Sequence, residues 1–446
     1  MNRSSPHDSS PLRGILTYFS NHRWLDVLLV LALVPWILFP QEQLTPFLMA
    51  LIPLLWIFRW YHFGFSWRST PLNVPLLLLA FMLLVSLGAT YDIRLSFPKV
   101  CGVYYGIALC ITLAYALRTS REIRVATGLL VSGGFAVAIL GLLGTRWVAY
   151  KVPLMRQLVT MYQHLPIAIR GLPRAAQGFS PNQVGGTLTL FIPLTMTLLM
   201  HVSQHRRGSW QWILTASSLL LTLGTMATTL ILTQSRWAYI STLITLLLLG
   251  LSQRDWLRWF TLGVFLLGIG IVILLGPVNV AHGLGLHGVS SPNTLLNYGS
   301  LSGRAEIWQQ AITVIQDHPL TGIGFDTLVP IVHARYNTFR LTPDRNFAHA
   351  HNFYLQVALD LGLPGLMAFV AMLLLWFYML WQVRWHAAST SDRALTTGLL
   401  FGTFAQLLYG FVDAIALGQK PGIFLWLYLG LGGALWLRWQ ETTDDS

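Results

Sequence analysis

No charged residue interrupts the chain between Arg174 and Arg206, between Arg207 and Arg236, or between Arg258 and Arg304. Each run exceeds the about 20 predominantly apolar residues that a helix needs to cross a bilayer core. The 446 residues would suit two or three soluble domains, but 54% of them are hydrophobic and only 10% charged. Inside hydrocarbon the backbone must satisfy its own polar groups, which helices do within a single segment. The chain therefore reads as an all-α, polytopic integral membrane protein.

Apolar segments fall at about 24–40, 47–60, 72–90, 97–117, 125–145, 183–202, 211–233, 237–253, 256–276, 363–383, 394–413 and 421–437, which makes about twelve transmembrane helices. Charge orients them. With the N-terminus inside, the short connections on that side carry Arg59 and Arg68, then Arg118, Arg121 and Arg124, then Arg206 and Arg207, then Arg254 and Arg258, then Arg384 and Arg393. The short connections on the other side carry few cations. This is the positive-inside pattern, and it places both termini in the cytoplasm. The expected organisation is a cytoplasmic tail at 1–23, nine spans within 24–276 with an outer loop at 146–182, a large outer loop at 277–352, three spans within 353–437 and a cytoplasmic tail at 438–446. The N-terminal segment has no short apolar core with a small-residue cleavage site, so it reads as a tail rather than a signal peptide.

The net charge of +12 does not mark a nucleic-acid binder, because the cations are scattered between spans. Orientation and anionic membrane lipid account for them. Long loops largely escape the orientation rule, yet the two outer loops hold nine cations, among them Arg174 and Arg304. Either an anionic ligand binds at the outer face, or these are solvated charges beside lipid. Cys101 and Cys110, nine residues apart in one apolar segment, would lie about 13 Å apart along a helix, too far for a disulfide.

Polarity concentrates at 302–365. A helix is expected over 304–316, with Ile307, Trp308, Ala311, Ile312 and Ile315 on one face, ended by His318-Pro319 and followed by turn glycines Gly322 and Gly324. Arg304 at its start sits where the helix dipole disfavours a cation. An external anion or a loop salt bridge would answer that equally well. Arg236 lies between two spans with almost no loop, either as a snorkelling anchor or as a guanidinium holding an anion. His351 stands at the expected outer boundary, and histidine is the residue type suited to proton transfer near neutral pH, although a boundary histidine is more often structural. His349 and His351 form a His-x-His pair, but no carboxylate or cysteine cluster is evident in sequence to complete a metal site, and none is expected. Asn352 is either a site residue or a cap for the helix that follows.

Several of these segments together resemble the O-antigen ligase and O-antigen polymerase superfamily of polytopic membrane glycosyltransferases. The likeness rests on Gly178-Phe179-Ser180-Pro181-Asn182 with Gly185-Gly186, on Ser235-Arg236, on Arg304 with Trp308, on Asp317-His318-Pro319-Leu320-Thr321-Gly322-Ile323-Gly324, and on His351-Asn352, nine residues, then Gly362 and Gly365. The last spacing is closest to the ligase type. Trp237 after Ser235-Arg236 departs from the small residue of the pattern.

The resemblance implies a bacterial inner-membrane enzyme with its large loop, containing a helix, in the periplasm. It would move a glycan from undecaprenyl diphosphate to a lipid A-core or related acceptor sugar, with inversion and without metal or other cofactor. Carried over by motif, Arg236 and Arg304 would bind the donor diphosphate and His351 would act on the acceptor hydroxyl. Arg174, Asn182 and Asn352 would be secondary. A polymerase joining lipid-linked repeats is the alternative within the same chemistry. An inorganic-carbon or solute transporter is the alternative from another class, but that would call for polar breaks at mid-membrane.

Overall fold

A computed structural model of the chain describes residues 24–38, 44–63, 69–145, 179–204, 209–253, 256–275, 301–336 and 349–444. The 1–23 tail, most of the 146–182 loop with Arg174, and parts of the 277–352 loop lie outside them. The helices are α1 (Trp24–Ala32), α2 (Val34–Leu38), α3 (Leu44–Phe63), α4 (Asn73–Ala89), α5 (Ile93–Ala116), α6 (Ser120–Gly144), α7 (Pro181–Gln204), α8 (Trp210–Thr233), α9 (Arg236–Leu251), α10 (Trp256–Leu275), α11 (Leu301–Asp317), α12 (Leu328–Arg335), α13 (Phe353–His386), α14 (Thr390–Gly410) and α15 (Ile423–Asp444). No strand occurs among the described residues. The described parts of all twelve apolar segments fall largely on helices. Six helices among the described residues are long and apolar enough to cross a membrane: α5, α6, α7, α8, α13 and α15 with the short turn that precedes it.

The main core gathers side chains from α4 to α8 and from α13 to α15, with Trp376, Trp426, Tyr428 and Phe191 fully buried. Large apolar side chains such as Leu77, Leu129, Leu221 and Leu374 face outward instead, as a lipid-facing surface requires. The helix ends obey ordinary chemistry. Thr119 and Glu122 form a capping box on α6, and Ser209, Ser389 and Asp92 cap α8, α14 and α5.

A smaller core is distinct from the main one. It joins Ile307, Ala311, Val314 and Ile315 of α11 to Ile323, to Leu328, Ile331 and Val332 of α12, and to Ala358 and Leu359 of α13. The inward face of α11 differs by one position from expectation, since Val314 is buried and Ile312 is half exposed. The helix also begins at Leu301, one turn before Arg304, which keeps Arg304 in the first turn.

The helix expected at 363–383 begins at Phe353 instead. α13 is two helices merged across a break at Gly362, whose φ is 72° and ψ 178°. The nine residues between Asn352 and Gly362 are thus a short helix with a cap at one end and a terminator at the other. Asn352 Oδ1 accepts from the Leu355 N–H, 3.0 Å away. The turn 318–324 docks on the break through main-chain hydrogen bonds, Ile323 N–H to Leu359 O at 2.8 Å and Leu363 N–H to Pro319 O at 2.7 Å. A Cβ on Gly322 would lie 2.5 Å from Leu359 O, and one on Gly362 would lie 2.6 Å from Leu320 O. Both glycines have positive φ, so glycine is required here for conformation and for close approach.

Gly362→Ala should lower the thermal midpoint of the purified protein, since that backbone region is essentially restricted to glycine and costs ~1–3 kcal/mol otherwise. Gly224→Ala, where a Cβ would meet nothing within 4 Å, should leave it unchanged. Fluorescence-detected size exclusion after heating reads both.

Candidate functional site

Four helices bring their ends to one place. α7 contributes Asn182 at its first turn, α9 begins at Arg236, α13 is preceded by His349 and His351, and α14 is followed by Asp413. α11 adds Arg304 from outside the bundle. Glycine explains how closely they meet. A Cβ on Gly186 would fall 2.3 Å from the Tyr409 ring, and one on Gly185 would crowd Thr233, Ser235 and Ala238. The Pro-Asn-x-x-Gly-Gly segment is therefore what lets α9 and α14 approach α7.

Asp413 is the hub. Only 5% of its side chain is exposed. Oδ1 accepts from the Ala414 N–H at 2.9 Å and faces His351 Nδ1 at 3.0 Å. Oδ2 accepts from Asn182 Nδ2 at 3.0 Å and faces an Arg304 terminal nitrogen at 3.5 Å. His349 Nε2 lies 3.9 Å from Oδ1. Burial is the largest influence on this carboxyl and would raise its pKa. The His351 hydrogen bond and the charges of His349, His351 and Arg304 outweigh it and hold the pKa at about 2. An ionised carboxylate only accepts, so His351 Nδ1 carries a proton in this contact, and in the neutral imidazole Nε2 then keeps the lone pair.

The histidine turn is fixed from three directions. The His351 N–H donates to His349 Nδ1 at 3.2 Å, and the His351 carbonyl accepts from Trp308 Nε1 at 3.3 Å. The Ala350 N–H donates to Gln356 Oε1 at 2.9 Å, and Gln356 Nε2 donates onward to Asp360 at 2.7 Å. These bonds hold His351 at φ 48°, an unusual conformation for a side chain of this size. Burial, followed by the charge of His351, pulls the pKa of His349 down to about 4. His349 is thus a neutral acceptor at its Nδ1 near pH 7.

The sequence-derived candidates separate clearly. His351, Arg304 and Asn182 meet at Asp413. Arg236 stands close enough to Arg304 for their charges to repel. Asn352 caps α13 and also donates from Nδ2 to Phe411 O at 2.9 Å, so it positions the loop that carries Asp413 rather than joining the cluster. Arg174 lies outside the described residues. For Arg304, the loop salt bridge is realised, and its partner is Asp413. The pair leaves Arg304 Nε buried with no acceptor among the described residues.

Sequence reasoning set the histidine pair aside for want of a carboxylate, and that ground fails. Asp413 comes 62 residues after His351 and completes a group whose donor atoms all lie within 4.8 Å of one another, close enough to hold a metal ion. The same group is also tied together by hydrogen bonds. His349 accepts at Nδ1 and so carries its proton on Nε2, His351 carries one on Nδ1, and Arg304 occupies the same carboxylate. The atoms facing Asp413 are donors, which is the pattern of a hydrogen-bonded relay. Asp413 was legible in one respect, as the only acidic residue between Arg393 and Glu441. Tyr409 was missed too. Its hydroxyl donates to Asn182 O at 2.7 Å and contacts Asp413 and Ser235.

Residues 221–370 match the family model described as O-antigen ligase. Over 148 residues the chain is 32% identical to the O-antigen ligase of Pseudomonas aeruginosa. That alignment covers 33% of this chain and 33% of the relative, so the comparison spans about a third of the relative's length. The family match contains Arg236, Arg304, both histidines and the glycine break, whereas Asn182 and Asp413 lie outside it.

Acid should weaken this centre in a defined window. Between pH 6.5 and about 4 the unfolded chain protonates His349 while the folded chain does not, so stability falls as pH drops through that range, by about 3 kcal/mol in all. The contribution of Asp413 is complete above pH 3.8 and is lost only toward pH 2. The thermal midpoint measured from pH 7 to pH 4 should decline, and His349→Gln should flatten that decline.

Proposed function

We propose that this chain, which matches the O-antigen ligase family over residues 221–370, is a ligase-type glycosyltransferase of a bacterial inner membrane. In this reading about twelve helices span the bilayer with both termini in the cytoplasm, and the Asp413 centre faces the periplasm. The donor is a glycan on undecaprenyl diphosphate, and the acceptor is a hydroxyl of a lipid A-core or related sugar. The observation that carries the reading is a histidine held by a buried, ionised carboxylate beside two arginines.

The chemistry asks little more. The diphosphate is already a leaving group, so catalysis needs charge stabilisation, alignment and a proton acceptor. His351 is more exposed than Asp413, Arg304 or His349, with 20% of its side chain accessible against 5%, 6% and 10%, and so is placed to meet a substrate. Its Nε2 takes the proton of the acceptor hydroxyl as that oxygen bonds to the anomeric carbon. The bond from that carbon to the diphosphate oxygen breaks, and the diphosphate leaves with the electron pair. Asp413 stabilises the imidazolium that forms, as a carboxylate behind a catalytic histidine does. A single displacement inverts the anomeric centre.

Arg236 and Arg304 take the charge that grows on the diphosphate, since guanidinium forks match phosphate oxygens. The buried Nε of Arg304, which has no acceptor among the described residues, is a donor that a phosphate oxygen would satisfy. With cations in that role, no divalent ion is required.

His351→Ala should lower transfer by ~10²–10⁴-fold, the span of general-base catalysis. Arg236→Ala and Arg304→Lys should each lower it by ~10²-fold or more with the protein still folded in the membrane. Transfer by the purified protein should survive EDTA unchanged. Deletion in the native host, with glycolipids separated by size and the lipid carrier assayed alongside, tests the assignment. Loss of polymer from lipopolysaccharide with long glycan accumulating on the carrier is expected. A single repeat remaining on lipopolysaccharide would mean a polymerase, and unchanged glycolipids would contradict both.

A further inference from the structure

The four bundle helices that meet at Asp413 meet again at their other ends. α7 spans 24 residues from Pro181 to Gln204, about 36 Å at 1.5 Å per residue, so this second convergence lies one bilayer away. The C-terminal ends of α7, α9 and α13 and the N-terminal end of α14 border an open cavity of about 470 Å³. Arg384, Arg393 and His201 line it together with Gln253, Ser252 and Trp385. No acidic side chain is among the described residues that line it. The nearest acid in sequence, Asp392, is engaged elsewhere, 3.0 Å from Arg438.

The cavity is built for an anion with an apolar attachment. Arg393 Nε donates to Ala387 O at 2.5 Å, which fixes the guanidinium stem and directs only its terminal nitrogens to other partners. The Arg384 guanidinium lies over the Trp385 ring, 5.5 Å from its centre. Trp385 itself is half exposed at the end of an apolar helix, the place where indoles mark the membrane–water boundary. Neither arginine has an acidic partner among the described residues. Two guanidiniums at a bilayer boundary, with amide and hydroxyl groups beside them, suit a phosphodiester whose acyl chains run down the bundle.

We propose that this cavity binds the headgroup of an anionic phospholipid in the leaflet opposite the Asp413 centre, with Arg384 and Arg393 as its phosphate ligands. The assignment follows from the membrane fold and does not depend on the transferase reading. A soluble phosphate would use the same two arginines but gain nothing from Trp385 and the apolar boundary around it, which favours the lipid.

Full-length protein in detergent, titrated with phosphatidylglycerol or phosphatidylcholine and read by native mass spectrometry, tests it. Wild type should retain phosphatidylglycerol over phosphatidylcholine by about tenfold, the scale of one charge-assisted hydrogen bond. Arg384→Gln/Arg393→Gln should abolish the preference, and each single substitution should reduce it severalfold, which keeps the test open if the double variant fails to fold. Inorganic phosphate at millimolar concentration should not displace the lipid. Equal retention of both lipids by wild type would overturn the proposal, as would an undiminished preference in both single variants. Displacement by inorganic phosphate would reassign the cavity to a soluble anion and so overturn the lipid.

Discussion

A carboxylate with 5% of its side chain exposed, at the end of a membrane helix, stays ionised only if its surroundings replace water. At Asp413 they do so completely, with a backbone N–H, an amide, an imidazole and a guanidinium dividing its two oxygens between them. Each of those partners comes from a different part of the chain. Asp413 therefore does more than bind a histidine. It sets the tautomer and orientation of His351, fixes the place of α11 against the bundle through Arg304, and ties α7 to α14 through Asn182. Removing it would take from Arg304 and His351 the carboxylate they share.

The second constraint is geometric. α11 lies outside the bundle and could deliver Arg304 only if it were clamped. The clamp is the main chain of 318–324 laid against the break in α13, with Gly322 and Gly362 allowing backbones to approach where any side chain would collide. Ser96 adds a hydrogen bond to Phe325 O at 2.9 Å, and the Tyr91 N–H one to Ile323 O at 3.2 Å, which tie the same turn to the start of α5. The glycines thus serve the chemistry indirectly, by making the position of Arg304 a property of the fold.

Much of this could be read before any coordinates. Apolar run length located the helices, because the bilayer imposes length and leaves few alternatives. The helix beginning near Arg304 was legible from 3.6-residue spacing, although Ile312 and Val314 exchanged places because α11 meets α12 as well as the bundle. The nine-residue spacing after His351-Asn352 was visible, but its meaning was not. It is a capped helix ending at a glycine, and only Gly362 with positive φ reveals the stop. Asp413 escaped because the contacts that matter link residues 62 and 109 positions apart, and no local pattern carries that information. The carboxylate that completes the histidine pair is invisible in sequence for the same reason.

The central claim is that Asp413 acts through His351, by holding it as a base. A double-mutant cycle on the rate of glycan transfer by purified protein tests it most directly, using His351→Ala, Asp413→Asn and the pair together. Groups that work as one unit are strongly non-additive. The account predicts that Asp413→Asn costs far less once His351 is alanine than it does with His351 present, so the combined loss falls well short of the product of the single losses. Losses that multiply in the double variant would contradict it and make Asp413 a separate contributor.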